Sequence, residues 1–161
     1  MAISVGQPMP EGTFSIMDGK RPGSMSSSEL FAGRKVVLVS VPGAFTPTCS
    51  MSHLPGFLED ADEFRARGVD VIACMAVNDV FVMDAWGRDQ GVGDRILMLA
   101  DGNGDYARAL GLELDGRSFG MGMRGQRFAM IVDDGVATHI AVEEPACFEV
   151  SKASAILEAL G

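Results

Sequence analysis

The side chain best suited to chemistry is Cys49, within the segment VPGAFTPTCSMSHLPGF at residues 41–57. Thr46 suits the N-cap of a helix and Pro47 its first position, so Cys49 would be the third residue, in the first turn. Unpaired backbone N–H groups and the helix dipole stabilise an anion there and lower a thiol pKa from its usual value of about 8.5. The spacing therefore predicts a nucleophilic thiolate at Cys49, where a strand turns into a helix.

The elements that must position this cysteine alternate between strand and helix. Apolar runs predict strands at 36–41, 69–77 and 96–100, and helical spacing predicts helices at 57–67, 80–86 and 106–110. Residues 127–132 and 136–142 would form a hairpin around 133–135, followed by a helix at 151–160 capped by Ser151. This order predicts an α/β, thioredoxin-like fold with a mixed central sheet and helices on both faces. A flavodoxin-like sheet is the rival, but its fully parallel strands would not end in a hairpin.

Composition limits the classes of partner. The 161 residues predict one domain, 1–161, and the net charge of -9 disfavours nucleic acid and anionic membranes. The first residues lack the basic and apolar regions of a signal peptide, so we expect a cytoplasmic protein. The glycine pattern at 120–125 precedes a strand, whereas a dinucleotide-binding loop needs a helix next. Residues 101–105 resemble half of a calcium loop, but Tyr106 and Leu112 stand where that loop needs Gly and Glu. No cofactor or metal is expected.

Three residues, the cysteine and two that precede it, point to a known family. Pro42, Thr46 and Cys49 form the motif P-x-x-x-T-x-x-C, and the extended segment resembles the type II, peroxiredoxin-5-like class of the peroxiredoxins. The resemblance continues through 77–79, 85–88, 99–101 and 126–130. It implies thiol-dependent reduction of hydrogen peroxide and organic hydroperoxides, with Cys49 as the peroxidatic cysteine that becomes a sulfenic acid.

The resemblance also implies roles for the surrounding residues. Thr46 corresponds to the peroxide-binding threonine, and Pro42 should shield the sulfur from water. Arg127 matches the arginine that holds the thiolate and orients the peroxide, with Arg124 as a less certain neighbour. The family further implies a homodimer.

The other cysteines leave the route of re-reduction open. Cys74 lies in an apolar run and is expected to be buried and inert. Cys147 could resolve the sulfenic acid as a disulfide with Cys49, although the two-cysteine members of the class carry their cysteine nearer Val150. An external thiol is favoured, either glutathione with a glutaredoxin or thioredoxin.

Two other functions share the same residues. Cys49 to Ser52 also reads as the C-x-x-S of a monothiol glutaredoxin, and a redox sensor would need only an oxidisable Cys49. His53 shares a helix face with Cys49, as in a Cys-His hydrolase, but no third residue to orient it is evident. We therefore expect His53 to be a packing or hydrogen-bonding residue behind the cysteine, and no special role for His139.

Overall fold

The computed structural model describes residues 1–161, apart from the side chain of Cys49. Its strands are β1 (Thr13–Asp18), β2 (Arg21–Ser26), β3 (Lys35–Ser40), β4 (Val71–Ala76), β5 (Leu97–Ala100), β6 (Glu113–Asp115), β7 (Met123–Gly125), β8 (Phe128–Asp133) and β9 (Val136–Val142). Its α-helices are α1 (Ser27–Phe31), α2 (Leu54–Glu59), α3 (Ala61–Ala66), α4 (Val80–Gln90), α5 (Asp105–Leu110) and α6 (Ala153–Leu160). A π-helical turn, Cys49–His53, precedes α2, and a 3₁₀ turn, Arg117–Phe119, follows β6.

The central sheet is mixed. Its order is β2-β1-β5-β4-β3-β8-β9, and β6 and β7 form a separate small pair. Strands β3, β4 and β5 are parallel, whereas β8 is antiparallel to both β3 and β9. The predicted mixed sheet is confirmed, and the antiparallel hairpin excludes the fully parallel alternative.

Alternating residues of β3 face two separate cores. Val37 and Val39 pack on the side of α2, α3, α4 and α6, whereas Val36 and Leu38 pack on the side of α1 and α5. A strand buried on both faces reads as a continuous apolar run, which is why β3 is easy to find in the sequence. Helices therefore cover both faces of the sheet, as predicted.

The sequence predicts no element before residue 36, yet β1, β2 and α1 lie there. The β1–β2 hairpin forms one edge of the sheet, and most of its residues are exposed or half-buried, so its apolar pattern is weak. A usable signal was present for α1. Ser26 caps that helix and Glu29 returns a hydrogen bond to the Ser26 backbone, which completes a capping box.

The predicted helix at 57–67 is wrong in its extent. The helical chain begins at Pro47, where Thr46 as the N-cap predicts it, passes through the π-helical turn, and is then divided between α2 and α3 at Asp60. Pro55 offers a physical reason, since it has no N–H to donate to residue 51 and its ring crowds that carbonyl. The widened turn ends at His53, two residues before Pro55.

Two other helix ends differ from expectation. Helix α4 continues to Gln90 and ends at Gly91, whose φ of 69° is the left-handed conformation of a C-cap. Helix α6 begins at Ala153 with Lys152 as its N-cap, so Ser151 does not cap it. None of the helices over the described residues has the length and apolar character that a membrane span requires.

Candidate active site

The loop 42–46 leaves the carboxyl end of β3 and leads into the helix that carries Cys49. The Ser50 N–H donates to the Thr46 carbonyl at 2.9 Å, which is the first helical hydrogen bond. Thr46 therefore stands at the N-cap and Cys49 at the third position, as predicted. The side chain of Cys49 lies outside the described residues, so its ionisation stays a prediction.

Thr46 is held by its own loop. Its hydroxyl donates to the Gly43 carbonyl at 2.8 Å. A hydroxyl has one hydrogen and two lone pairs, so with its hydrogen on Gly43 the Thr46 oxygen can still accept a hydrogen bond.

The same loop is tied to two neighbouring segments. The Ala44 N–H donates to the side chain of Asn78 at 2.9 Å. On the other side, Arg124 donates to the Pro42 carbonyl at 3.4 Å and to the Met121 carbonyl at 2.8 Å. Arg124, which the sequence placed as a possible neighbour, thus supports the backbone of the loop.

Arg127 reaches this loop because of the register of the sheet. Ser40 of β3 pairs with Phe128 of β8, so Arg127 lies beside the point where β3 ends. One amino nitrogen of its guanidinium lies 2.9 Å from Nδ1 of His53. The guanidinium carbon lies 5.9 Å from the centre of the Phe148 ring, within the range of a cation–π contact.

His53 is fully buried and bound on both ring nitrogens. Its Nε2 lies 3.0 Å from the Ser151 carbonyl, which can only accept, so Nε2 carries the hydrogen and Nδ1 accepts from Arg127. Burial, followed by the positive charge of Arg127, lowers the pKa of His53 to about 4, against the opposing effects of the Ser151 carbonyl and Glu143. The imidazole is therefore neutral at neutral pH.

A cleft of about 180 Å³ opens beside these groups. Its lining includes Pro42, Thr48, Arg127, Cys147 and Phe148. Cys147 is exposed, whereas Cys74 is buried in the core between the sheet and α4, as predicted. Among the described residues, no group of three or more His, Cys, Asp or Glu side chains could hold a metal ion.

Comparison with known proteins identifies the family. The sequence profile described as Redoxin matches residues 4–157. Peroxiredoxin-2B of Arabidopsis thaliana is 48% identical over 159 residues, which cover 98% of each chain. The chain belongs to the peroxiredoxins.

The chloroplastic peroxiredoxin-2E of the same plant is 47% identical over 163 residues, covering 99% of this chain and 70% of the relative. The crystal structure of reduced Prx3 from Vibrio vulnificus in complex with hydrogen peroxide superposes with a TM-score of 0.95, at 53% identity over 99% of both chains.

Membership of the peroxiredoxins carries a thiol peroxidase activity and confirms the thioredoxin-like fold. In this peroxiredoxin the structure brings Pro42, Arg127 and Cys147 to one cleft, with Thr46 at the end of the adjoining loop.

The sequence missed one buried carboxylate behind this peroxiredoxin site. Glu143 is 7% exposed, and one of its oxygens accepts from the N–H of Glu149, the N–H of Ser151 and the Ser151 hydroxyl, at 2.7–2.8 Å. Burial acts to raise the pKa of Glu143, but these hydrogen bonds outweigh it and hold the pKa below its ordinary value. No local pattern marks such a glutamate, because its partners become neighbours only through the loop that follows β9.

A buried indole also contacts this peroxiredoxin's active-site helix. Nε1 of Trp86, on α4, donates to the hydroxyl of Ser50 at 2.9 Å. Since Ser50 follows Cys49 directly, α4 is tied to the turn that carries the cysteine.

Proposed function

We propose that this peroxiredoxin reduces hydrogen peroxide and organic hydroperoxides at Cys49, with Pro42, Thr46 and Arg127 completing the site. The observation that carries the proposal is the register of β8 against β3, which sets Arg127 beside the loop 42–46 and its cleft. The Vibrio vulnificus relative was crystallised in complex with hydrogen peroxide, which supports peroxide as the substrate class.

The reaction transfers one oxygen to sulfur. The Cys49 thiolate attacks the terminal oxygen of the hydroperoxide, the S–O bond forms and the O–O bond breaks. The attacked oxygen keeps its hydrogen, so the products are a Cys49 sulfenic acid and hydroxide or alkoxide. Sulfur is oxidised by two electrons and the peroxide is reduced by two.

Each neighbouring residue has a role in this step. The Thr46 hydroxyl, which donates to Gly43, accepts the hydrogen of the attacked oxygen. The Arg127 guanidinium stabilises both the thiolate and the negative charge that develops on the leaving oxygen, which favours the transition state over the ground state. Pro42 lines the cleft and limits access of water to the sulfur.

Peroxide consumption with a thiol reductant tests the assignment. Cys49→Ser should abolish turnover, and Arg127→Ala should lower the second-order rate constant for peroxide by about 100-fold, the usual effect of losing one such donor. Arg117, exposed and paired with Asp115, offers a control substitution to Ala that should leave the rate unchanged. Turnover by Cys49→Ser, or an unaffected Arg127→Ala, would refute the proposal. Consumption of a single equivalent of peroxide, without turnover, would indicate a redox sensor.

We also propose that an external thiol, glutathione with a glutaredoxin or thioredoxin, returns Cys49 to its reduced form. The external thiol would displace water from the sulfenic acid to give a mixed disulfide, which a second thiol reduces. The place of Cys147 on the same cleft supports an alternative, an internal disulfide with Cys49. Intact mass after one equivalent of peroxide, without added thiol, separates the two: a gain of one oxygen supports the external route. A loss of two hydrogens that disappears in Cys147→Ser supports the internal one.

We propose a homodimer assembled around the loop 42–46. Phe45, Phe81 and Phe119 are exposed. Their three segments meet at this loop, because the Ala44 N–H donates to Asn78 and Arg124 donates to the carbonyls of Pro42 and Met121. Sedimentation velocity should show a dimer for the unmodified chain and a monomer for Phe45→Ser with Phe119→Ser. A monomeric unmodified chain would contradict the proposal.

We further propose a cytoplasmic location. Cysteines that follow no secreted disulfide framework are typical of a reducing compartment. Fractionation of the source cells, followed by immunodetection, would test it.

A further inference from the structure

A line of hydrogen bonds runs from the active-site arginine to a buried carboxylate. Arg127 contacts Nδ1 of His53 at 2.9 Å, and Nε2 of His53 contacts the Ser151 carbonyl at 3.0 Å. The N–H and hydroxyl of Ser151 donate in turn to the Glu143 carboxylate at 2.8 and 2.7 Å. Four residues from separate parts of the chain therefore form one polar connection behind the cleft.

The imidazole has little freedom to turn away from this connection. The rings of Phe57 and Phe148 meet it edge-on, with centroids 5.6 and 5.1 Å from its own. Flipping the ring would put carbon atoms opposite the Arg127 guanidinium and the Ser151 carbonyl, and both would lose a partner in a buried place.

Glu143 fixes the far end. Its N–H donates to the Arg127 carbonyl at 3.0 Å, while its carboxylate holds Ser151. The same residue thus sets both the backbone of the arginine and the carbonyl that orients the histidine.

The acceptor that Arg127 meets at this position is an uncharged imidazole nitrogen. An acidic partner would cancel the positive charge that Arg127 must offer to a thiolate and a leaving oxyanion. An uncharged imidazole nitrogen fixes the direction of the guanidinium and leaves its charge in place. Holding the Arg127 side chain in position before peroxide binds also means that its conformational entropy is not lost during the reaction.

We propose that His53 is a positioning residue for peroxide reduction: Nδ1 of His53 aims the Arg127 guanidinium into the cleft, and Ser151 with Glu143 holds the imidazole in place. The inference rests on the role proposed for Arg127. His53 touches no reacting atom in this scheme and acts only through the arginine.

Two substitutions at residue 53 separate its two hydrogen bonds. In His53→Asn the amide oxygen can stand near the position of Nδ1, so the acceptor for Arg127 remains and the bond to Ser151 is lost. In His53→Gln the amide nitrogen can stand near the position of Nε2, so the bond to Ser151 remains and the acceptor for Arg127 is lost. The full-length proteins are compared by the second-order rate constant for hydrogen peroxide, by the pKa of Cys49 from thiolate absorbance, and by Tm.

The proposal expects His53→Asn to keep the rate constant within about threefold. His53→Gln should lose about 10- to 100-fold and show a raised Cys49 pKa, since misplacing a positioned group by about 1 Å has effects of this size. Equal losses in both variants would overturn the proposal, because the rate would then follow packing of the ring. Unchanged rates in both would overturn it as well.

Arg127→Ala in the same assay separates this inference from the proposed function. If Arg127→Ala is as fast as the unmodified protein, the role proposed for Arg127 fails. If Arg127→Ala is slow while His53→Asn and His53→Gln have equal rate constants, Arg127 acts without being positioned by His53, and only the inference fails.

Discussion

Acidification from pH 8 to pH 5 should destabilise this peroxiredoxin through His53. The folded chain holds the imidazole neutral, with a pKa of about 4, whereas the unfolded chain restores its ordinary value of about 6.5. Between these two values the unfolded chain binds a proton that the folded chain does not. The free energy of unfolding therefore falls as the pH falls, and the loss is complete only below the folded pKa.

The size of the effect follows from the two pKa values. The His53 contribution is nil at pH 8, amounts to a loss of about 2 kcal/mol at pH 5, and reaches about 3 kcal/mol at pH 4. Two charged groups act on the ring: Arg127, before β8, opposes its protonation, and Glu143, after β9, favours it. Burial is the larger cause, so salt should change the effect only modestly.

Urea unfolding at a series of pH values gives the free energies directly. His53→Asn cannot titrate in this range, so its free energy of unfolding should depend less on pH than that of the unmodified chain, by about 2 kcal/mol between pH 8 and pH 5. His139→Asn, in β9, controls for loss of an imidazole elsewhere. Parallel pH profiles for the unmodified chain and His53→Asn would refute the reasoning, because His53 would then not be held neutral with Nδ1 as an acceptor.

Two further substitutions test the loop and a helix start. In Gly43→Ala the new Cβ would lie 3.0 Å from Arg124 Nη1 and 3.2 Å from Thr46 Cγ2, so these two side chains must move by a few tenths of an ångström. Peroxide reduction should therefore slow several-fold, while Gly23→Ala, where the contacts are ordinary, should keep its rate. Asp101 is buried and accepts from the Tyr106 and Ala107 N–H groups with separate oxygens, so Asp101→Asn should lower the free energy of unfolding by about 1–3 kcal/mol in urea, without slowing peroxide reduction. An unaffected rate for Gly43→Ala, or an unaffected stability for Asp101→Asn, would show that these contacts are not needed.

The parts of the site that the sequence predicts are those encoded locally. Thr46 at the N-cap follows from residue type and spacing over four positions. Arg127 could be placed because it stands directly before an apolar strand of a recognisable hairpin. Antiparallel pairing of that strand with β3 then leaves little choice of where the arginine lies.

The features that the sequence did not predict depend on competition between groups that are distant along the chain. Ser151 has the right type for a helix cap, but a buried carboxylate eight residues earlier takes both its N–H and its hydroxyl. His53 and Ser151 are 98 residues apart in the chain, so their contact exists only in the folded sheet. The π-helical turn likewise was not predicted. A proline at residue 55 disturbs the helix, but its presence alone does not determine whether the chain kinks or widens into a π-helical turn.

The indole of Trp86 has a practical consequence. It belongs to the chain's single tryptophan, it is fully buried, and it is hydrogen-bonded to the residue after Cys49. When tryptophan is excited without Tyr106, the intrinsic fluorescence therefore comes from one emitter, shielded from soluble quenchers, whose immediate surroundings include the turn that bears the sulfur. Changes of oxidation state at that turn can be followed in real time without attaching a dye.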